Sequence, residues 1–157
     1  MILSTLQRQI VTAPEPKIVV VASAAAGKTA CMTERVRWWL KNGIEPSDIC
    51  CITFTNMAAT EMKARLADDY KEGLFIGTIH SLAAHFLSAG GLGAQVGKLA
   101  KEEKFDKFFE LLQQNQNLIK HYKYVCSDET QDISYSEYKF IFEMINPENF
   151  FAAGDPK

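Results

Sequence analysis

The stretch Lys17-Ile-Val-Val-Val-Ala22-Ser-Ala-Ala-Ala-Gly27-Lys28-Thr29 decides the fold. Its apolar, β-branched opening predicts a strand from Lys17 to Ala22. A loop of small residues leads straight into a segment of helical composition, from about Lys28 to Leu40, which ends at Asn42-Gly43. A strand that turns through small residues into a helix presents successive backbone N–H groups, and the positive end of the helix, to an anion. Ala22 to Thr29 matches the phosphate-binding loop pattern at every fixed position but the first, where alanine stands for glycine. In that setting Lys28 supplies charge to the outer phosphates and the Thr29 hydroxyl completes a magnesium shell. The tripeptide Gly27-Lys28-Thr29 alone is weak evidence; its position between a strand and a helix gives it weight.

Outward from this point, apolar runs of strand length alternate with helix-period segments. Ser4 and Thr5 cap a short helix through Leu6, Ile10 and Val11, which Pro14 and Pro16 stop. A second strand, Ile49 to Phe54, is followed by a helix from Met57 to Ala67. A short strand spans Leu74 to Gly77, and a helix spans Ser81 to Leu87. Four glycines between Ala89 and Gly97 predict a flexible joint. A charged amphipathic helix is expected next, from Lys101 to Ile119, with Phe105, Phe108, Phe109 and Leu112 as its core-facing stripe. Tyr122 to Ser127 reads as a strand, Ser136 to Ile145 as a helix and Phe150 to Ala153 as a last strand. The alternation predicts an α/β fold over residues 1–157, one domain built on a parallel sheet with helices on both faces.

Composition agrees with this and excludes other classes. In 157 residues, 47% hydrophobic and 23% charged, with nine glycines and five prolines, neither a disordered nor a collagen-like chain is possible. The formal charge of -2 supplies no basic footprint, so any nucleic acid must be held by local geometry. The longest uncharged apolar run, Ile18 to Ala26, is far too short for a bilayer span, and Met1 to Ile10 has no secretory pattern. A cytoplasmic protein is expected, with no membrane partner and no oligomer-specific surface, hence a monomer. Cys31, Cys50, Cys51 and Cys126 have no metal-ligand spacing and read as reduced core residues, with Cys50 and Cys51 on opposite faces of their strand.

A second chemical signal stands where the strand Tyr122 to Ser127 ends, in Asp128-Glu129. Asp128 is placed to hold magnesium, directly or through water, and Glu129 to activate the attacking water. Gln131 and Asp132 extend the polar cluster. The plainer reading is a pair of solvated acids after an edge strand.

Nearly the whole chain resembles the first RecA-like motor domain of the UvrD/Rep family of superfamily 1 DNA helicases, a P-loop NTPase fold. Leu3 to Val11 is similar to the Q motif, which implies that Gln7 reads the adenine edge. Ala22 to Thr29 is similar to Walker A, implying that Ala24, Ala25, Ala26, Gly27, Lys28, Thr29 and Ala30 surround ATP. Glu34-Arg35 in the following helix is similar to the AddA/RecB branch. Cys51 to Leu66 resembles motif Ia, implying contact of Thr53, Phe54 and Asn56 with single-stranded DNA. Gly77 to Leu82 resembles the next strand-contacting motif, where Thr78 and His80 match. Without the resemblance, Phe54 reads as core and His80 as an ordinary surface histidine. Asp128 to Asp132 is similar to Walker B, and Phe151 to Lys157 to the opening of motif III. The resemblance implies an ATP-dependent DNA helicase using ATP and Mg2+. Lys28, Glu129 and Gln131 would serve catalysis, and Thr29 and Asp128 the metal.

Several positions depart from the family. Ala25 and Ala26 replace glycine and a small polar residue, Met57 a lysine, and Ala30 an arginine. Only 33 residues separate Ala89 from Tyr122, where the family inserts a domain, so residues 89–122 are expected to hold a glycine joint and one helix. The second motor domain is absent from the chain, and with it the arginines that neutralise the transferring phosphoryl group. Since such an arginine is worth about a thousandfold or more in turnover, the chain alone is expected to be poorly active. The chief rival is a catalytically silent module that keeps the helicase fold and binds nucleotide, single strands or a partner. A small P-loop kinase ranks last, because Arg8, Arg35, Arg37 and Arg65 form no lid-like cluster.

Overall fold

Five strands lie side by side in the order β1-β5-β4-β2-β3, each pair parallel. They are β1 (Lys17–Val21), β2 (Ile49–Thr53), β3 (Phe75–Thr78), β4 (Tyr124–Ser127) and β5 (Asn149–Gly154). This computed structural model describes residues 3–21, 27–69, 72–128 and 132–154. The helices between the strands are α1 (Thr5–Val11), α2 (Lys28–Lys41), α3 (Asn56–Arg65), α4 (Ile79–Ala89), α5 (Gly93–Lys101), α6 (Lys107–Gln114) and α7 (Tyr135–Tyr138). Beyond α7 the chain continues as a wider π-helical segment over Lys139–Ile145. No helix among the described residues is long and apolar enough to cross a membrane.

Strand alternation builds two cores. In β2, Ile49 and Cys51 enter a cluster with Met32, Val36 and Trp39 of α2 and Met62 of α3. Cys50 and Ile52 face the other way, toward Leu82 and Phe86 of α4, Phe108 and Phe109 of α6, and Phe140. The sheet is therefore covered on both faces, as expected for an all-parallel sheet. All four cysteines are buried free thiols, and Cys50 and Cys51 do face opposite ways.

Local chemistry explains most element ends. Ser4 caps α1 in a reciprocal box: its hydroxyl accepts from Gln7 N–H, and its own N–H donates to Gln7 Oε1 at 2.9 Å. Ser134 and Glu137 repeat the device at α7. Arg35 of α2 is buried and donates to the carbonyls of Val11 and Ala13, at 2.8 and 2.7 Å, so α1 is fastened to α2.

Two expectations need correction. Residues 89–97 are not a flexible joint: Gly91, at φ +91°, makes a tight turn, and α5 begins at Gly93 and runs through Gly97. Leu92, Val96, Leu99 and Ala100 pack against the core at helical spacing, which outweighs the cost of about 1 kcal/mol for a helical glycine. The single helix expected over 101–119 is not continuous. Glu103 adopts a left-handed conformation at φ +56°, Lys104 N–H returns to Leu99 O, and α6 starts afresh at Lys107. The segment that was to hold one helix thus holds α5, α6 and a 3-10 turn at Gln116–Leu118. Of the proposed stripe, Phe108, Phe109 and Leu112 are buried, whereas Phe105 is 42% exposed.

Candidate functional site

Because every strand runs the same way, the carboxyl ends share one edge, where open α/β sheets collect their ligands. Onto that edge the chain brings the end of β1 at Val21, Thr53 at the end of β2 with Phe54 after it, Thr78 at the end of β3 and Asp128 after β4. β4 is the middle strand, so Asp128 does not follow an edge strand as the plainer reading supposed.

At the start of α2, Gly27 has φ +80° and occupies the N-cap. A Cβ there would lie 3.2 Å from Gln7 Nε2, so the Gln7 carboxamide sits against the opening of α2. The capping bond from Ser4 N–H fixes how that carboxamide is turned. Lys28 is the first residue of the helix and is only 7% exposed. No acid stands in the first turn. A buried cation at the positive end of a helix is opposite to what the helix dipole favours. The N–H groups at such a helix start suit a polyphosphate. Thr29 is half-buried on the same turn, and Ala30 is buried beneath it. Ala24, Ala25 and Ala26 lie outside the described residues, as do Glu129 and Gln131.

Asp128 is half-buried, and its Oδ1 accepts the Phe54 N–H at 3.1 Å. This bond ties the carboxylate of the expected metal site to the loop between β2 and α3. Among the described residues no group of three acidic, histidine or cysteine side chains forms a metal cage. One carboxylate and one hydroxyl, Asp128 and Thr29, suit the sparse protein ligation of magnesium that also binds phosphate oxygens.

Beside that loop runs a groove of about 480 Å³. One wall is polar: Thr55 caps α3, Asn56 begins it, Thr78 caps α4 and Ser81 lies in its first turn. The other is aromatic, with Phe105 and Phe108 from the α5–α6 region. Phe54 and His80 complete the lining. His80 is held by a ring nitrogen 3.2 Å from Asp106 Oδ1, with its ring 6.0 Å from Phe105 and 5.3 Å from Phe109. Of the residues expected on the nucleic-acid side, Phe54, Asn56, Thr78 and His80 line the groove. Thr53 does not: it is fully buried and its hydroxyl bonds the carbonyls of Thr55 and Gly77. The sequence reading missed Thr55 and Ser81, although both stand inside the quoted motifs, and it placed Phe105 in the core.

Residues 3–118 match the UvrD/REP helicase N-terminal domain. The chain belongs to this family. Its all-parallel sheet with helices on both faces is the RecA-like α/β architecture expected of such a domain. It is similar to DNA helicase II of Escherichia coli K12, 35% identical over 98 residues, which is 60% of this chain and 14% of that protein. DNA helicase II of Haemophilus influenzae is 37% identical over 95 residues, 55% of this chain and 13% of that protein. The ATP-dependent DNA helicase PcrA of Staphylococcus aureus Mu50 is 35% identical over 89 residues, 54% of this chain and 12% of that protein. The matched part of the chain spans about one-seventh of the length of these relatives. Asp128 lies past the end of the family match, so its assignment rests on its place after β4 at the carboxyl edge.

Proposed function

We propose that this UvrD/REP-type domain is the ATP-binding part of an ATP-dependent DNA helicase that couples hydrolysis to movement along single-stranded DNA. The observation that carries the reading is the shared edge. The start of α2 with the buried Lys28 and the groove at the starts of α3 and α4 both stand at the carboxyl edge of the sheet, where Asp128 accepts the Phe54 N–H.

In this reading Gln7 contacts the base, and the amides of residues 24–27 with Ala30 frame the nucleotide. Lys28 holds the outer phosphates, and Thr29 and Asp128 hold Mg2+. Bound there, Mg2+ would supply positive charge to the phosphate oxygens. Glu129 takes the proton of the attacking water, and Gln131 passes the nucleotide state to the strand-binding side. Phe54, Asn56, Thr78 and His80 contact the DNA strand. Residues 1–157 act as one ATP-binding unit, working with a second motor domain. A monomeric, cytoplasmic protein suits the reading.

The test is phosphate release from Mg-ATP with oligo(dT), with and without a separately expressed second motor domain. Stimulation by either addition, abolished by Glu129→Gln, is expected. If neither addition ever stimulates release, the chain is a silent binding module rather than a motor.

A further inference from the structure

The two walls of the groove differ in chemistry. On one side α3 and α4 present their positive ends, and neither has an acid in its first turn. Hydroxyl and amide groups of Thr55, Asn56, Thr78 and Ser81 stand along this side. Such a wall attracts phosphate oxygens. On the other side Phe105 is 42% exposed, edge-on to the Phe108 ring at 6.0 Å and tilted against His80. Next to it Asp106 carries a carboxylate, 80% exposed, that repels phosphate. A strand in this groove therefore has only one favourable orientation, with its backbone on the α3–α4 side and its bases toward the rings.

A phenylalanine on a core stripe should be covered, and Phe105 is not. The left-handed turn at Glu103 and the fresh start of α6 at Lys107 set it on the turn between the two helices, at the rim of the groove. His80 is fixed by Asp106 on one flank and Phe109 on another, so the aromatic surface is already ordered. Ordering in advance removes part of the entropic cost of binding.

We propose that Phe105 is a base-stacking residue for single-stranded DNA, with the half-buried His80 beside it, and that the strand lies with its phosphates on the starts of α3 and α4. This rests on the reading of the groove as a strand-binding site. It adds a contact from residues 89–122, which the resemblance assigns no role in DNA binding. Stacking on a ring tolerates any base, so the contact adds affinity without sequence preference.

The experiment compares binding of oligo(dT) and an abasic oligomer of equal length to the wild-type chain, Phe105→Ala and Asn56→Asp. Phe105→Ala should weaken oligo(dT) binding about tenfold, the usual scale of one lost stack, and leave the abasic oligomer unchanged. Asn56→Asp, which adds a charge that the α3 dipole favours, keeps the helix intact and should weaken both oligomers. If Asn56→Asp weakens binding while Phe105→Ala matches the wild type, the groove reading stands and the stacking role is overturned. Equal binding of both oligomers by the wild-type chain also overturns it. If neither substitution matters, the groove is not the strand site, and both readings fall.

Discussion

Gly27 is the residue on which the nucleotide side turns. Its φ of +80° disfavours any residue with a Cβ, and the added atom would press on Gln7 Nε2 at 3.2 Å. Gly27→Ala should cost about 1–2 kcal/mol in stability and displace Gln7, so ATP affinity should fall more than affinity for inorganic triphosphate; titration of both ligands checks this. The buried thiols give a second residue-scale expectation. Burial pushes Cys50 and Cys126 well above the ordinary thiol value of 9.0, and pushes Tyr122 from 10.0 to about 12. The unfolded chain releases these protons first as pH rises. Stability should therefore be intact below about pH 8 and decline progressively from there toward the raised values. Urea midpoints between about pH 7 and pH 11 measure it, and a midpoint that climbs over this range would contradict the burial argument. The sequence foretold these thiols, because Cys50 and Cys51 sit in an apolar strand. It foretold the exposed Phe105 poorly, because a phenylalanine four residues from Phe109 looks like core until the chain turns at Glu103.

Among the elements, the junction of α1 with α2 does the most for the site. Arg35 lies over the rings of Trp38, Trp39 and Phe151 at 4.7, 5.4 and 5.3 Å while it holds the end of α1 through two carbonyls. Its buried Nε has no hydrogen-bond partner among the described residues, so the fastening rests on the two carbonyl bonds and the ring contacts. Arg35→Ala should lose about 3 kcal/mol in chemical denaturation, from charge-assisted bonds and packing together. A loss under about 1 kcal/mol would show that α1 is held by other contacts. The strands and most helices were legible from period and caps, such as Ser4 before α1. The α5–α6 region was not, since glycine content argued for a joint while the spacing of Leu92, Val96 and Leu99 argued for a helix. Tertiary packing decided between them. Gly90 shows the same influence: a Cβ there would overlap the Leu118 side chain, a contact that local sequence does not reveal.

At the scale of the whole molecule, the proposed function depends on the parallel sheet setting the carboxyl ends of its strands along one edge. That order was legible from the alternation of strands and helices, but the pairing of β4 between β2 and β5 was not. It is this pairing that brings Asp128 within 3.1 Å of the Phe54 N–H across 74 residues of sequence. The central claim is that the start of α2 grips a triphosphate. Calorimetric titration of Mg-ATP into the wild-type chain and Lys28→Ala tests it most directly. Loss of one charge-assisted contact predicts affinity at least about tenfold weaker for the variant, and equal affinity of the two proteins would contradict the account.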